Sequence, residues 1–144
     1  MELKVKILKE NAKLPVYATE GSAGKDLFAH EGCTLRAGEK KLIGTGIAVQ
    51  VPAHFELQIR PRSGLALRKT LLVHFGTLDS DYRGEVGIIL YNYGDEEIII
   101  AAGEAIAQGV LNNVPQASFK VVEQLDPTAR GEGGFGSTDK KVQG

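Results

Sequence analysis

Apolar residues recur in this chain at every second position, not at every third or fourth. Leu3, Val5 and Ile7 alternate with Lys4 and Lys6, which predicts a half-buried strand. In "HFELQIRPR", Phe55, Leu57 and Ile59 take one face while Glu56, Gln58, Arg60 and Arg62 take the other. An extended strand there sets two guanidinium groups side by side. Further strands are expected over residues 41–51, 71–75, 85–93, 97–101, 105–112 and 118–125. Turn-forming stretches punctuate them: "PVYATEGSAG", "RAGEK", "VPAH", "YGDEE", "AAGE" and "NNVP". The helical candidate, "SGLALRKT", has at most about two turns. Many short strands without βαβ alternation predict an all-β, jelly-roll-like antiparallel β-sandwich with one short helix.

Two strands are apolar on both faces. Val86, Ile88 and Leu90 oppose Ile89 and Tyr91, and Ile98, Ile99 and Ile100 run together. A small antiparallel sandwich normally leaves one face of each sheet wet. Either a second subunit or an overlying loop is therefore expected to cover the outer face. The pattern stops near Asp126, which divides the chain into a domain over 1–125 and a polar, Gly-rich arm over 126–144.

That arm contains "RGEGGFGST". Gly131, Gly133 and Gly136 satisfy G-x-G-x-x-G, but the dinucleotide fingerprint needs a strand before it and a helix after it. Neither is expected here, and Ser137 stands where a Walker loop needs lysine. Donor chemistry remains. Glycines let backbone N–H groups turn toward an anion, Ser137 and Thr138 add hydroxyls, and Arg130 adds a charged fork. Phe135 offers a face on which a base can stack.

Charge and cysteine usage narrow the partners. A formal net charge of -1 supplies no global field for nucleic acid or an anionic membrane, so neither partner is expected. The single cysteine, Cys33, excludes an intramolecular disulfide and fits a reducing compartment. No apolar run approaches the length of a membrane span, and no signal segment stands at the N-terminus, so a soluble, cytoplasmic protein is expected. His30, His54 and His74 lack metal-ligand spacing. Three polar constellations hold the candidate chemistry: Asp26 behind a glycine turn, Arg62-Ser63-Gly64 at a strand end, and Asp79, Asp81, Tyr82, Arg83 and Glu85 within seven residues. The last is either a charged hairpin tip or a set for water activation and substrate stacking.

In order, "AGKDL", "RPRSGLA", "GTLDSDYRGE", "AIAQ" and "RGEGGFGST" resemble the five motifs of the trimeric dUTPases. The resemblance spans nearly the whole chain and implies a jelly-roll homotrimer whose active sites are shared between subunits. It implies hydrolysis of dUTP to dUMP and pyrophosphate, with Asp79 activating the water that attacks the α-phosphate. Tyr82 would pack on the deoxyribose, and the backbone of Gly76, Thr77 and Leu78 would read uracil, with Gly87 also among the substrate-binding positions. Arg62, Ser63 and Gly64 would hold the phosphate chain. Asp26 and Gln108 would position Mg²⁺, mainly through metal-bound water. Arg130, Ser137 and Thr138 would reach the γ-phosphate, while Phe135 and Gly136 close over the base.

Lys25, Ala105, Val73 and Asp139 depart from the common family pattern, which usually has an aromatic, an arginine, an asparagine and a glycine there. The missing Val73 amide bears on base stringency and the missing Ala105 charge on efficiency. Two alternatives share the resemblance: a dCTP deaminase-like enzyme using a glutamate base, with Glu85 beyond the turn, or a nucleotide-binding module without turnover.

Overall fold

The computed structural model describes residues 1–136. In chain order its elements are Lys4–Ile7 (β1), Val16–Tyr17 (β2), Lys25–Phe28 (β3), Cys33–Leu35 (β4), Lys40–Gln50 (β5), Phe55–Arg60 (β6), Ser63–Arg68 (α1), Leu71–Val73 (β7), Gly76–Leu78 (β8), Glu85–Asn92 (β9), Ile98–Ile100 (β10) and Ala105–Asn113 (β11). They form a four-stranded sheet β1-β5-β9-β7, a five-stranded sheet β2-β3-β11-β6-β8 and a β10-β4 pair. Every pairing is antiparallel. The architecture is the expected all-β jelly-roll sandwich with one short helix.

Alternation decides what the sheets bury. Leu57 and Ile59 of β6, Ile88 and Leu90 of β9, and Ile106 of β11 enter one shared core. Residues between them on β6, Glu56, Gln58 and Arg60, stay partly exposed on the outer face. The outer face of the four-stranded sheet is apolar instead. Leu42 lies opposite Ile89 and Leu72 opposite Tyr91, and the three aliphatic side chains are 68%, 41% and 53% exposed in the order Leu42, Ile89, Leu72. Among the described residues, no loop covers this patch.

Two differences from the sequence pattern stand out. β2, β3, β4 and β8 were not among the expected strands; each has two to four residues, too few to display a period. Conversely, residues 118–125 form no strand, and Phe119 and Val121 are 99% and 97% exposed. The alternation is present, but no strand among the described residues lies beside it.

Asn92, fully buried at the end of β9, ties three segments together. Its Nδ2 faces the carbonyls of Leu35, Arg36 and Glu96 at 3.2, 3.1 and 2.7 Å. Its Oδ1 accepts from the Thr70 hydroxyl and the Gly94 amide. Asn92→Ala leaves these groups buried without partners, and the expected loss is about 3 kcal/mol. A denaturant midpoint measured at fixed protein concentration checks this; an unchanged midpoint would remove Asn92 from the role. No helix among the described residues is long and apolar enough to cross a membrane.

Candidate active site

Asp26 of β3 lies directly opposite Gln108 of β11, which lies opposite Arg60 of β6. Their sequence neighbours Leu27, Ala107 and Ile59 are buried, so period-two geometry sends these three polar side chains to the outer face. β6 then runs through Pro61 and Arg62 into α1. Arg62 turns onto Asp26, with Nε 2.9 Å from Oδ1 and Nη2 3.1 Å from Oδ2. Its Nη1 donates to the Ala105 carbonyl at 3.1 Å. One N–H on each terminal nitrogen remains for another acceptor. Gln108 donates through Nε2 to the Pro61 carbonyl at 2.9 Å. A Cβ on Gly24 would lie 2.5 Å from Gln108 Oε1, so the glycine of "AGKDL" makes room for this side chain.

Asp26, Gln108 and Arg62 thus form one cluster, with Ser63 and Gly64 opening α1 beside it. No side chain caps this helix, which leaves its first-turn N–H groups free for an incoming acceptor. The expected pairing of guanidinium groups does not occur. Arg60 turns back along its strand to Gln58 Oε1, at 2.9 Å from Nε and 2.6 Å from Nη2, away from Arg62.

A second cluster occupies the other end of β6. β8 pairs with β6 in the register Leu57↔Leu78, Gln58↔Thr77 and Ile59↔Gly76. Asp79 follows, exposed, and lines a groove of about 390 Å³ with His54, Glu56, Thr77, Ser80 and Asp81. β8 closes the five-stranded sheet, so its outward edge has no strand beside it among the described residues. The Leu78 side chain is buried, which leaves its backbone as the part available to a ligand. Tyr82 donates its hydroxyl to the Glu85 carbonyl at 3.0 Å and is 45% exposed as a residue. Arg83 folds onto the Ser80 and Tyr82 carbonyls.

Six residue steps along β6 separate the register of Asp79 from Arg62, roughly 20 Å in extended chain. Within one copy, Asp79 and Arg62 therefore stand toward opposite ends of β6, with Gly76 of β8, opposite Ile59, between them.

The remaining expected positions are dispersed. Gly87 sits opposite Gly44 on the four-stranded sheet, where a Cβ would lie 2.7 Å from Leu42 Cδ1. Val73 is 9% exposed and belongs to the core, not to the groove beside Asp79. Ala105 contributes through its carbonyl. Lys25 holds its ammonium 4.9 Å above the Tyr17 ring on the adjacent strand. In the arm, Arg130 donates to the Gly133 carbonyl at 2.7 Å, and Phe135 and Gly136 are exposed. Ser137 and Thr138 lie outside the described residues.

Glu85 is committed elsewhere. Its Oε1 accepts from the Gly46 amide at 2.8 Å and lies 3.3 Å from Lys9 Nζ. The Gly46 hydrogen bond, aided by Lys9 and opposed by partial burial, holds its carboxyl below the usual range, which makes it a poor base. Burial pushes the Cys33 thiol up, so it is no ready nucleophile. Among the described residues, no group of three or more His, Cys, Asp or Glu side chains is disposed to hold a metal. No sequence signal marks the Pro61 and Ala105 carbonyls, because a main-chain acceptor carries no residue identity.

The model of the dUTPase family matches residues 10–139. A deoxyuridine 5'-triphosphate nucleotidohydrolase from Hydrogenobaculum sp. is 51% identical, over 98% of this chain and 100% of its own. A mutant dUTPase of Staphylococcus bacteriophage 80alpha, solved with dUpNHpp, superposes with a TM-score of 0.91 at 29% identity, covering 95% of this chain and 98% of its own. A mutant dUTPase from phage phi11 of S. aureus, described for its coordination of a structural Mg(II) ion, gives a TM-score of 0.84 at 25% identity, over 88% and 100%.

Proposed function

The chain belongs to the dUTPase family and is a deoxyuridine triphosphate nucleotidohydrolase; from that premise we propose that each working site draws Asp79 from one copy and Arg62 from another, in a homotrimer. The spacing along β6 carries this reading, since Asp79 and Arg62 stand toward opposite ends of that strand. Two further observations support assembly. Among the described residues, Leu42, Ile89 and Leu72 form an uncovered apolar face, and Phe119 and Val121 alternate on a segment with no partner strand.

In this reading the free edge of β8 hydrogen-bonds the uracil edge through the backbone of Gly76, Thr77 and Leu78. Its closeness leaves no room for a thymine methyl. The ring of the exposed Tyr82 packs against the deoxyribose, with its hydroxyl already tied to Glu85. Asp79 orients a water and accepts its proton as the oxygen attacks the α-phosphate. The bond to the bridging oxygen breaks, and pyrophosphate leaves dUMP behind.

On the neighbouring copy, the N–H groups that Arg62 does not spend on Asp26 and Ala105 grip the phosphate chain. Ser63 and the Gly64 amide complete that seat. Asp26 and Gln108 suit a cation that retains its waters and leans on phosphate oxygens, as Mg²⁺ does, and would hold it through those waters. When bound, the cation neutralises phosphate charge. Arg130, Ser137 and Thr138 reach the γ-phosphate, and Phe135 with Gly136 covers the base, excluding water as the arm closes.

Glu85's engagement with Gly46 and Lys9 speaks against a deaminase reading, which needs that carboxylate free. The test is pyrophosphate release from separate dUTP, dTTP, dCTP and UTP samples with Mg²⁺, with products identified by chromatography. Turnover of dUTP alone is expected. Equal turnover of dTTP would overturn the backbone reading of the base, and ammonia from dCTP would overturn the hydrolase.

A further inference from the structure

The helix that opens with Ser63 cannot hold its own position. α1 has six residues, no capping side chain and no acidic residue in its first turn. Isolated helices of this length are unstable, so its placement must come from neighbours. Of its side chains, only Leu65 is buried.

The front of the segment is strapped to β11, and its trailing end to Glu104 just before β11 and to Ile99 of β10. At the front, Arg62 donates to the Ala105 carbonyl, and Gln108 donates to the Pro61 carbonyl. Just past the helix, the Lys69 amide closes the last turn on the Leu65 carbonyl at 2.9 Å. The Lys69 ammonium reaches Glu104 Oε1 at 2.6 Å and the Ile99 carbonyl at 3.2 Å. Glu104 immediately precedes β11, and its Oε2 accepts from the Ala101 amide at 2.9 Å. Its own backbone carbonyl accepts from Ala29, just past β3. Burial pushes the Glu104 carboxyl up, but the hydrogen bonds from Lys69 and Ala101 outweigh it and hold the group ionised.

We propose that Lys69 and Glu104 are positioning residues for the phosphate seat: their ion pair clamps the trailing end of α1 to the start of β11, fixing where Ser63 and Gly64 meet the phosphate chain. The proposal rests on the reading of that seat given above. Neither side chain touches substrate. Their part is to hold the helix at one depth against the strand that also carries Gln108. Phosphate contacts made alike in ground and transition states govern KM more than kcat.

Steady-state kinetics on the full-length assembly test this. Lys69→Met and Glu104→Gln are each expected to raise the KM for dUTP about tenfold while kcat stays within about twofold. Lys69→Arg, which keeps the cation, and the swap Lys69→Glu with Glu104→Lys should recover most of the loss. Ser63→Ala serves as the reference. If Lys69 acts through the seat, its effect and that of Ser63→Ala are not additive in the double variant. An unchanged KM in Lys69→Met, with Ser63→Ala impaired, would overturn the clamp and leave the seat standing. An unchanged KM in Ser63→Ala would overturn the seat and the clamp with it. A lower melting temperature with unaltered KM would make the pair merely structural, which also overturns the proposal.

Discussion

Asp79→Asn is expected to lower dUTP turnover about a thousandfold while leaving dUTP binding near its normal strength. The side chain is exposed at the end of β8, in a groove also lined by His54, Glu56 and Thr77. An amide fills the same space and can still orient a water, but it cannot take up a proton at neutral pH. The fold should be indifferent, because no hydrogen bond or ion pair of the Asp79 carboxylate contributes to it among the described residues. Its backbone carbonyl accepts from the Tyr82 amide, and that bond survives the substitution. Rapid-quench turnover together with equilibrium binding of a non-hydrolysable analogue separates the two effects. Unchanged turnover would remove Asp79 from the chemistry, and lost binding would make it a substrate ligand instead.

Ending the chain at Ala129 should cost about a hundredfold in turnover without unfolding the domain. Among the described residues, the hydrogen bonds of Arg130, Gly131 and Gly133 stay within the arm, to Thr128, Arg130 or Gly133. Phe135 touches no core residue and is fully exposed. Among the described residues, the sheets therefore lose no hydrogen bond when the arm is removed, whereas the proposed closure over base and γ-phosphate is abolished. Circular dichroism and sedimentation would show an intact assembly, and the assay would show the loss. Near-normal activity in the shortened chain would mean that closure plays no part.

The long strands were legible because alternation is strong where a strand is long enough to repeat. β6 and β9 each set buried side chains against partly or more exposed positions over six or more residues. β3 has four residues, of which only Leu27 is fully buried, so the same rule finds nothing to count. Residues 118–125 show the opposite limit. Alternation says that a segment can pair, not that its partner belongs to the same chain. The identities of the candidate site residues could be read along the sequence, because each motif keeps its own local chemistry. Their division between the two ends of β6 could not, since it follows from strand register. Nor could the Lys69–Glu104 contact, which joins residues 35 positions apart. Val73 marks a further limit, because a motif comparison aligns its position without revealing that its side chain faces the core.

Sharing of the site between copies is tested most directly by mixing two crippled chains. Asp79→Asn and Arg62→Gln are each expected to be nearly inactive as pure assemblies. Co-refolded at equal amounts, they should regain about a quarter of wild-type activity, because each mixed trimer restores one site of three, which leaves about a quarter of all sites with Asp79 from one chain and Arg62 from its neighbour. A mixture that stays as inactive as its parents would show that both residues serve the same copy's site, and would contradict the division along β6.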